Sequence, residues 1–285
     1  MIVRMPANRM VPVVARDRLR GPYWLLTFRH PEVAREARAG QFVMIKAGTS
    51  AEPPLRRPFS IMTVDPRDET FTLFIKEVGP GSAALAALEP GETAQCLGPL
   101  GRPFATPPPD TEALLVAGGY GVAPFRLFAQ ELDTGGGRAR LFYGGRTSDD
   151  LPLLETLAAA GVPLEPATED GSVGHRGRVT APVTEWLEAH PGPARLYACG
   201  PEAMLHAVAR LAEERNLEAE VSLDPWMGCG IGTCLGCVVE VQDGSEPRAR
   251  YRCACTEGPV FDAARVRWPG EEASLARRAA LEARR

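Results

Sequence analysis

The hydrophobic rhythm of this chain changes once, across the proline-rich stretch ATPPPDT at 105–111, and that change constrains the fold more than any other feature. Before it, short apolar runs such as VPVVARDRL, YWLLTFRH, QFVMIKA, RRPFSIMTV, TFTLFIKEVG and ETAQCLGPL follow one another between Gly, Pro and Asp breaks. Only SAALAAL at 82–88 reads as a helix among them. Six strands with so little helix predict a small antiparallel β-barrel. After the break, strand-like and helix-like runs alternate: EALLVAGG, VAPFRLFAQEL, RARLFYGG, ARLYACG, PEAMLHAVARLAEERN. Alternation of this kind predicts a doubly wound parallel sheet with helices on both faces. Its ligands sit beyond the C-terminal ends of the strands.

The expected organisation is multidomain β and α/β. A barrel covers 1–107, an α/β domain 108–222, a small Cys- and Gly-rich domain 223–265, and a charged tail 266–285, whose last 15 residues read as helical. The formal net charge of −4 argues against a nucleic-acid binder, since phosphate binding needs a concentrated basic face. No run of about 18 apolar residues is present, so no membrane helix is expected, and the start of the chain lacks the pattern of a secretory signal. A soluble, cytoplasmic protein is the expectation. Five of the seven cysteines crowd between Cys229 and Cys255, a ligand-like spacing suited to a reducing compartment.

Within MGCGIGTCLGCVV, Cys229, Cys234 and Cys237 have the C-x4-C-x2-C spacing of plant-type [2Fe–2S] sites, whose fourth ligand lies farther on. Cys255 and Cys253 compete for that fourth place. Interspersed glycines let the backbone wrap closely enough to aim N–H groups at sulfur. A structural zinc site is the alternative, though such sites favour paired short C-x-x-C knuckles.

Two further constellations suggest nucleotide cofactors. RRPFSI sets Arg57 three residues before Ser60, a cation for a phosphate and a hydroxyl for a ring nitrogen, and VGPGSAAL opens a helix at Gly81 and Ser82. In the second domain, Gly118, Gly119 and Gly121 follow a strand and open a helix, as a dinucleotide-binding turn would. Cys199, Gly200 and Pro201 form a second turn at another strand end, a lip for a nicotinamide. Asp149 and Asp150, after the second strand, favour NAD over NADP, with Arg146 pulling the other way.

These pieces, in this order, resemble the ferredoxin reductase superfamily over residues 10 to about 222. The C-terminal MxCGIGxCxGC segment and the string Cys255-Thr256-Glu257-Gly258-Pro259-Val260-Phe261 narrow the resemblance to electron-transfer subunits of NAD-dependent dihydroorotate dehydrogenases. That resemblance implies FAD contacts at Arg57, Pro58, Phe59, Ser60, Phe74, Ile75, Lys76, Gly81 and Ser82, and cluster ligands Cys229, Cys234, Cys237 and Cys255. Ser60 and Cys199 are the candidate catalytic positions. Departures are Tyr120 where a small residue is usual, Ser82 for Thr, and a long loop before Cys255. The implied partner is an FMN-containing catalytic subunit that oxidises dihydroorotate, in a heterotetramer of two copies each, with no nucleic acid or membrane involved. A related reductase subunit serving a ferredoxin, hydrogenase or oxygenase is the alternative enzyme, and a non-catalytic redox sensor is the alternative of another class.

Overall fold

A computed structural model describes residues 8–48, 54–242 and 249–268. Most of the stretch read as a charged tail lies outside these residues. Among the described residues no helix is long and apolar enough to cross a membrane.

The first unit is built from β1 (Asn8–Arg18), β2 (Tyr23–Arg29), β3 (Phe42–Ala47), β4 (Arg57–Asp65), β5 (Thr70–Lys76) and β6 (Thr93–Leu100), closed into a barrel in the order β1-β2-β5-β4-β3-β6. Every pairing is antiparallel. Alternating inward residues such as Val11, Val13, Leu26, Phe28, Val43, Ile45, Ile61 and Leu73 fill its centre. The expected helix is present as α2 (Pro80–Ala86), and a second, α1 (Pro31–Glu36), was not anticipated. Its signal is short and local: His30 caps Val33 N–H through Nδ1, and proline opens the first turn.

The second unit runs β7 (Glu112–Gly118), α3 (Ala123–Thr134), β8 (Arg138–Gly145), α4 (Leu154–Ala159), β9 (Leu164–Thr168), β10 (His175–Arg176), α5 (Thr180–Ala189), β11 (Ala194–Cys199), α6 (Glu202–Arg215) and β12 (Ala219–Ser222). Strands β7 to β12 pair in parallel, in the order β10-β9-β8-β7-β11-β12. The order reverses at β7, between β8 and β11, so the crevice for a ligand opens there. The proline-rich connection is anchored by aromatic packing: Phe104 stacks on Phe125 and Phe128, and Tyr197 Oη donates to the Ala105 carbonyl at 2.8 Å.

The last segment forms a hairpin of β13 (Val238–Gln242) and β14 (Ala249–Cys253), a single helical turn α7 (Ala254–Glu257), and β15 (Val260–Asp262). β15 adds antiparallel to β12, as the seventh strand of the sheet. The same stretch reaches the barrel, because Arg102 N–H donates to the Gly258 carbonyl at 2.6 Å. Val266 and Trp268, at the head of the stretch read as a tail, are buried.

Candidate functional site

In the barrel wall, β4 and β5 pair only from Ile61↔Leu73 toward Asp65↔Thr70. Beyond Ile61 they diverge. Arg57 to Ser60 keep their ladder to β3, and Phe74 to Lys76 keep theirs to β2, so each run leaves one strand edge without a partner among the described residues. The residues expected to contact FAD therefore line a split in the wall. Arg57 Nη1 donates to the Leu55 carbonyl at 2.9 Å, and its shaft crosses Gly81 so closely that a Cβ there would stand 2.9 Å from Arg57 Nε. Only glycine lets the guanidinium lie at the mouth of α2. The Ser60 hydroxyl makes no hydrogen bond among the described residues and is open to a ligand. Phe74 and Ile75 bury their side chains, Phe74 stacked on Tyr23 at 5.4 Å, so they offer backbone only.

Two expected contacts are engaged elsewhere. Ser82 Oγ accepts from Val78 and Gly79 N–H and donates to the Gly79 carbonyl, which closes its own turn. Lys76 Nζ lies 3.7 Å from Asp150 of the α/β unit and lines the nicotinamide-side cleft. The Ser82 partners lie within the VGPGSAAL string itself, whereas the Lys76 partner belongs to the second unit, where the motif could not reveal it.

At the crevice, a cleft of about 460 Å³ is lined by Gly118, Gly119, Tyr120, Gly144, Pro201 and Met204 among others. The two glycine turns pack on each other. A Cβ at Gly121 would meet the Cys199 carbonyl oxygen at 2.3 Å, and one at Gly118 would meet Pro201 Cδ at 2.6 Å. Gly121 and Gly118 thus permit turn-on-turn contact, while Gly119, with nothing near its Cβ position, faces open space. Cys199 is buried beneath the lip, and burial pushes its thiol up to about 12. It stays protonated at neutral pH and presents a neutral, polarisable floor.

The cysteine loop follows β12. Cys229 Sγ accepts N–H groups from Ile231 at 3.5 Å and Cys234 at 3.4 Å, and Cys255 Sγ accepts from Gly232 at 3.2 Å. Burial opposes ionisation of Cys229, but these donors outweigh it and hold its thiol down at about 6. Cys234 contacts Cys229, and Cys237 contacts Cys255. Two thiol pairs with backbone N–H groups already aimed at sulfur suit a two-iron cluster, which takes two ligands per iron. Burial, then neighbouring Cys237, pushes the Cys255 thiol up to about 12; a bound cation supplies the charge that ionises such a ligand. Cys253 also touches Cys237, yet among the described residues no N–H group is directed at its sulfur, and its own N–H goes to Glu257 at 3.1 Å. Cys96 is a buried core residue of the barrel.

The loop is docked on the barrel wall next to the Arg57–Ser60 run. A Cβ at Gly230 would lie 2.4 Å from Met44 Cγ, and Met44 pairs in register with Pro58 of the Arg57–Ser60 run. On the outer side Trp226 is 95% exposed and Leu235 60% exposed, with Ile231, Val238 and Tyr251 also open to solvent.

Comparison with known proteins agrees with this geometry. Residues 224–267 match the family model described as the iron-sulfur cluster binding domain of dihydroorotate dehydrogenase B, and residues 115–210 match the oxidoreductase NAD-binding domain. The chain is 41% identical, over 80% of its length and 86% of the relative's, to the dihydroorotate dehydrogenase B (NAD(+)) electron transfer subunit of Geobacillus kaustophilus. It is 35% identical to the protein of that description from Geobacillus thermodenitrificans, over 92% of this chain and 99% of the other. Among solved structures, one of an NADH-dependent reduced ferredoxin-NADP oxidoreductase superposes with a TM-score of 0.80 at 28% identity, covering 96% of this chain and 95% of that one. With two curated relatives matched over most of their length and both domain profiles in place, the chain belongs to the family of dihydroorotate dehydrogenase B (NAD(+)) electron transfer subunits.

Proposed function

We propose that this chain carries electrons between a dihydroorotate-oxidising, FMN-containing catalytic subunit and NAD+, using FAD and a [2Fe–2S] cluster, in the cytoplasm and as part of a heterotetramer with two copies of each subunit. The observation that carries the reading is Met44. It ties the cysteine loop at Gly230 to Pro58 in the flavin-facing wall, so a cluster on the cysteines and a flavin in the wall would be neighbours.

In this reading Cys229, Cys234, Cys237 and Cys255 hold the cluster, and Arg57, Pro58, Phe59, Ser60, the backbone of Phe74–Lys76, and Gly81 hold FAD. Gly118, Gly119 and Pro201 receive the nicotinamide cofactor, while Gly121, Cys199 and Gly200 shape the turn beneath it. When bound, FAD exchanges electron pairs with a nicotinamide and single electrons with an iron–sulfur centre, which neither of those two does alone. The protein's own contribution is placement. Arg57 offers a charged group to a phosphate, Ser60 offers an unused hydroxyl to a ring atom, and protonated Cys199 keeps the floor of the lip uncharged. The outer face of the loop, with no charged side chain from Pro225 to Val239, fits a lasting subunit interface, whose core is depleted in charge.

Mixing the purified chain with the FMN subunit should give dihydroorotate-dependent NAD+ reduction, and the chain alone should oxidise NADH only with artificial acceptors. Coupling to a ferredoxin but not to the FMN subunit would move the chain to the second reading, a reductase subunit for another partner, which the 0.80 superposition makes the structural competitor.

A further inference from the structure

Strand β3 divides its side chains between two interiors. Val43 and Ile45 point into the barrel and join its core, whereas Phe42 and Met44 point out through the wall, as alternation along a strand requires. The outward face of an antiparallel wall commonly meets water. Met44 is instead fully buried, 0% exposed. With Phe42, Leu97 and Leu100 it belongs to the buried apolar cluster that also contains Cys237 and Cys255. What covers it is the cysteine loop.

The loop backbone rests directly on this seam. A Cβ at Gly230 would collide with Met44 Cγ and stand 3.3 Å from Met44 Sδ and 3.2 Å from Leu100 Cδ1. At the other end a Cβ at Gly101 would meet Pro259 Cδ at 2.6 Å and Phe42 Cε1 at 2.9 Å, and Arg102 N–H fastens to the Gly258 carbonyl. Behind Met44 the ladder runs to Pro58, within the Arg57–Ser60 run, on one flank and to Leu97 on the other. The side chains of Phe42, Met44, Leu97 and Leu100 carry no nitrogen or oxygen, so they offer a water nothing to bind. The cysteine site is thus dry toward the Arg57–Ser60 run and open on its outer side, where Ile231 and Leu235 meet solvent.

We propose that Met44, with Leu100 beside it, is a positioning residue for the electron exchange: it keeps water out of the seam between the cysteines and the flavin-binding wall, and so holds the cluster's reduction potential down. The inference rests on reading Cys229, Cys234, Cys237 and Cys255 as the cluster ligands and the Arg57–Ser60 run as that wall. Reduction of a [2Fe–2S] site adds one electron and one negative charge, and charge is costly to place against apolar surroundings. Solvent access and the apolar shell therefore set such potentials, together with hydrogen bonds to sulfur. Here the N–H groups on Cys229 and Cys255 favour the reduced form, and the Met44 seam opposes them from the barrel side. A dry seam disfavours an electron's rest on the cluster. It favours passage of that one electron to the flavin, in the direction of NAD+.

The test is a redox titration of the cluster, followed by electron paramagnetic resonance, in the full chain loaded with iron and FAD. Met44→Gln keeps much of the side chain's length and sets an amide in the seam. It should shift the one-electron equilibrium toward reduced cluster by about tenfold, an upward move of about 59 mV. Leu100→Gln enters the same seam from β6 and should move the potential the same way, so a folding failure in one variant leaves the other to decide. Met44→Leu, apolar and of similar volume, should stay within about twofold of wild type. Val43→Thr, next along β3 but facing the barrel interior, should not move it. Unshifted potentials in both glutamine variants at full iron content, or an equal shift in Val43→Thr, overturn the assignment. So does loss of iron in both glutamine variants, which would make the seam a support for the loop and nothing more. If the wild type binds no iron, the reading of the cysteines falls; if it holds iron and flavin and only the glutamine variants fail to move, Met44 and Leu100 alone are wrong.

Discussion

Arg57 lies across Gly81, and Gly79 two residues earlier has nothing within 4 Å of its Cβ position and an extended backbone, φ −171°. The pair makes a sharp comparison. Gly81→Ala should displace the guanidinium and weaken FAD retention in the same direction as Arg57→Ala, for which loss of a charge-assisted contact of roughly 1.5–3 kcal/mol means about ten- to a hundredfold in affinity. Gly79→Ala should leave FAD retention unchanged. Equal flavin content in all three purified variants would show that the split in the barrel wall is not the flavin site. At the cysteines, Cys255→Ser should abolish iron binding and Cys253→Ser should spare it, read as iron per chain in anaerobic preparations; the opposite result moves the fourth ligand. Residue types and their spacing are enough to make these positions legible. They do not show which residues are consumed elsewhere: Ser82 closes its own turn within the motif, while Gly121 serves contact with Cys199 and Lys76 meets Asp150, each through a partner that only the folded chain brings near.

The cysteine loop, as an element, contains a conformational contradiction. Leu235 has φ +58°, in the left-handed region that costs a non-glycine residue roughly 1–2 kcal/mol, and it extends an apolar side chain into solvent. Gly230, at φ +76°, has no such freedom to become anything larger, because Met44 lies against it. Gly230→Ala should therefore lift the loop from the barrel and lower iron content. Leu235→Glu should keep the iron and NADH oxidation with a small acceptor while dihydroorotate-dependent NAD+ reduction and complex formation fall; full coupled activity in this variant would place the docking face elsewhere. The six barrel strands and the alternating β/α run were readable because each is a sustained apolar period bounded by turn residues. The strands of the last segment were not. Val260–Asp262 is too short to show a period, and its role as a sheet edge depends on β12, some 40 residues away in sequence.

Across the whole molecule, barrel and α/β unit meet at Asp150, which receives the Tyr23 hydroxyl at 3.4 Å and Lys76 at 3.7 Å from one side and Arg146 from the other. The hydrogen bond from Arg146 is the main reason the Asp150 carboxyl titrates below its ordinary value, with Lys76 adding to it. A depressed carboxylate stabilises the fold above its unfolded pKa, near 3.9, and the contribution disappears as pH falls through the lower folded value. The thermal midpoint of wild type should thus exceed that of Asp150→Asn by a steady margin near neutrality, and the margin should shrink below about pH 5. The Arg20–Asp149 pair is common to both proteins and cancels in the comparison; a margin independent of pH would mean the junction is not ionic. The other junction is β15, which completes the sheet from the far side of the cysteine loop. Synthesis on the ribosome gives that order of events a clock. Roughly 40 residues emerge between β12 and β15, about 2–8 s of elongation, and throughout that interval the outer edge of β12 is an unpaired strand. Unpaired edges recruit other chains, so nascent polypeptides ending between Ser222 and Val260 should be the species that co-aggregate when translation is driven hard.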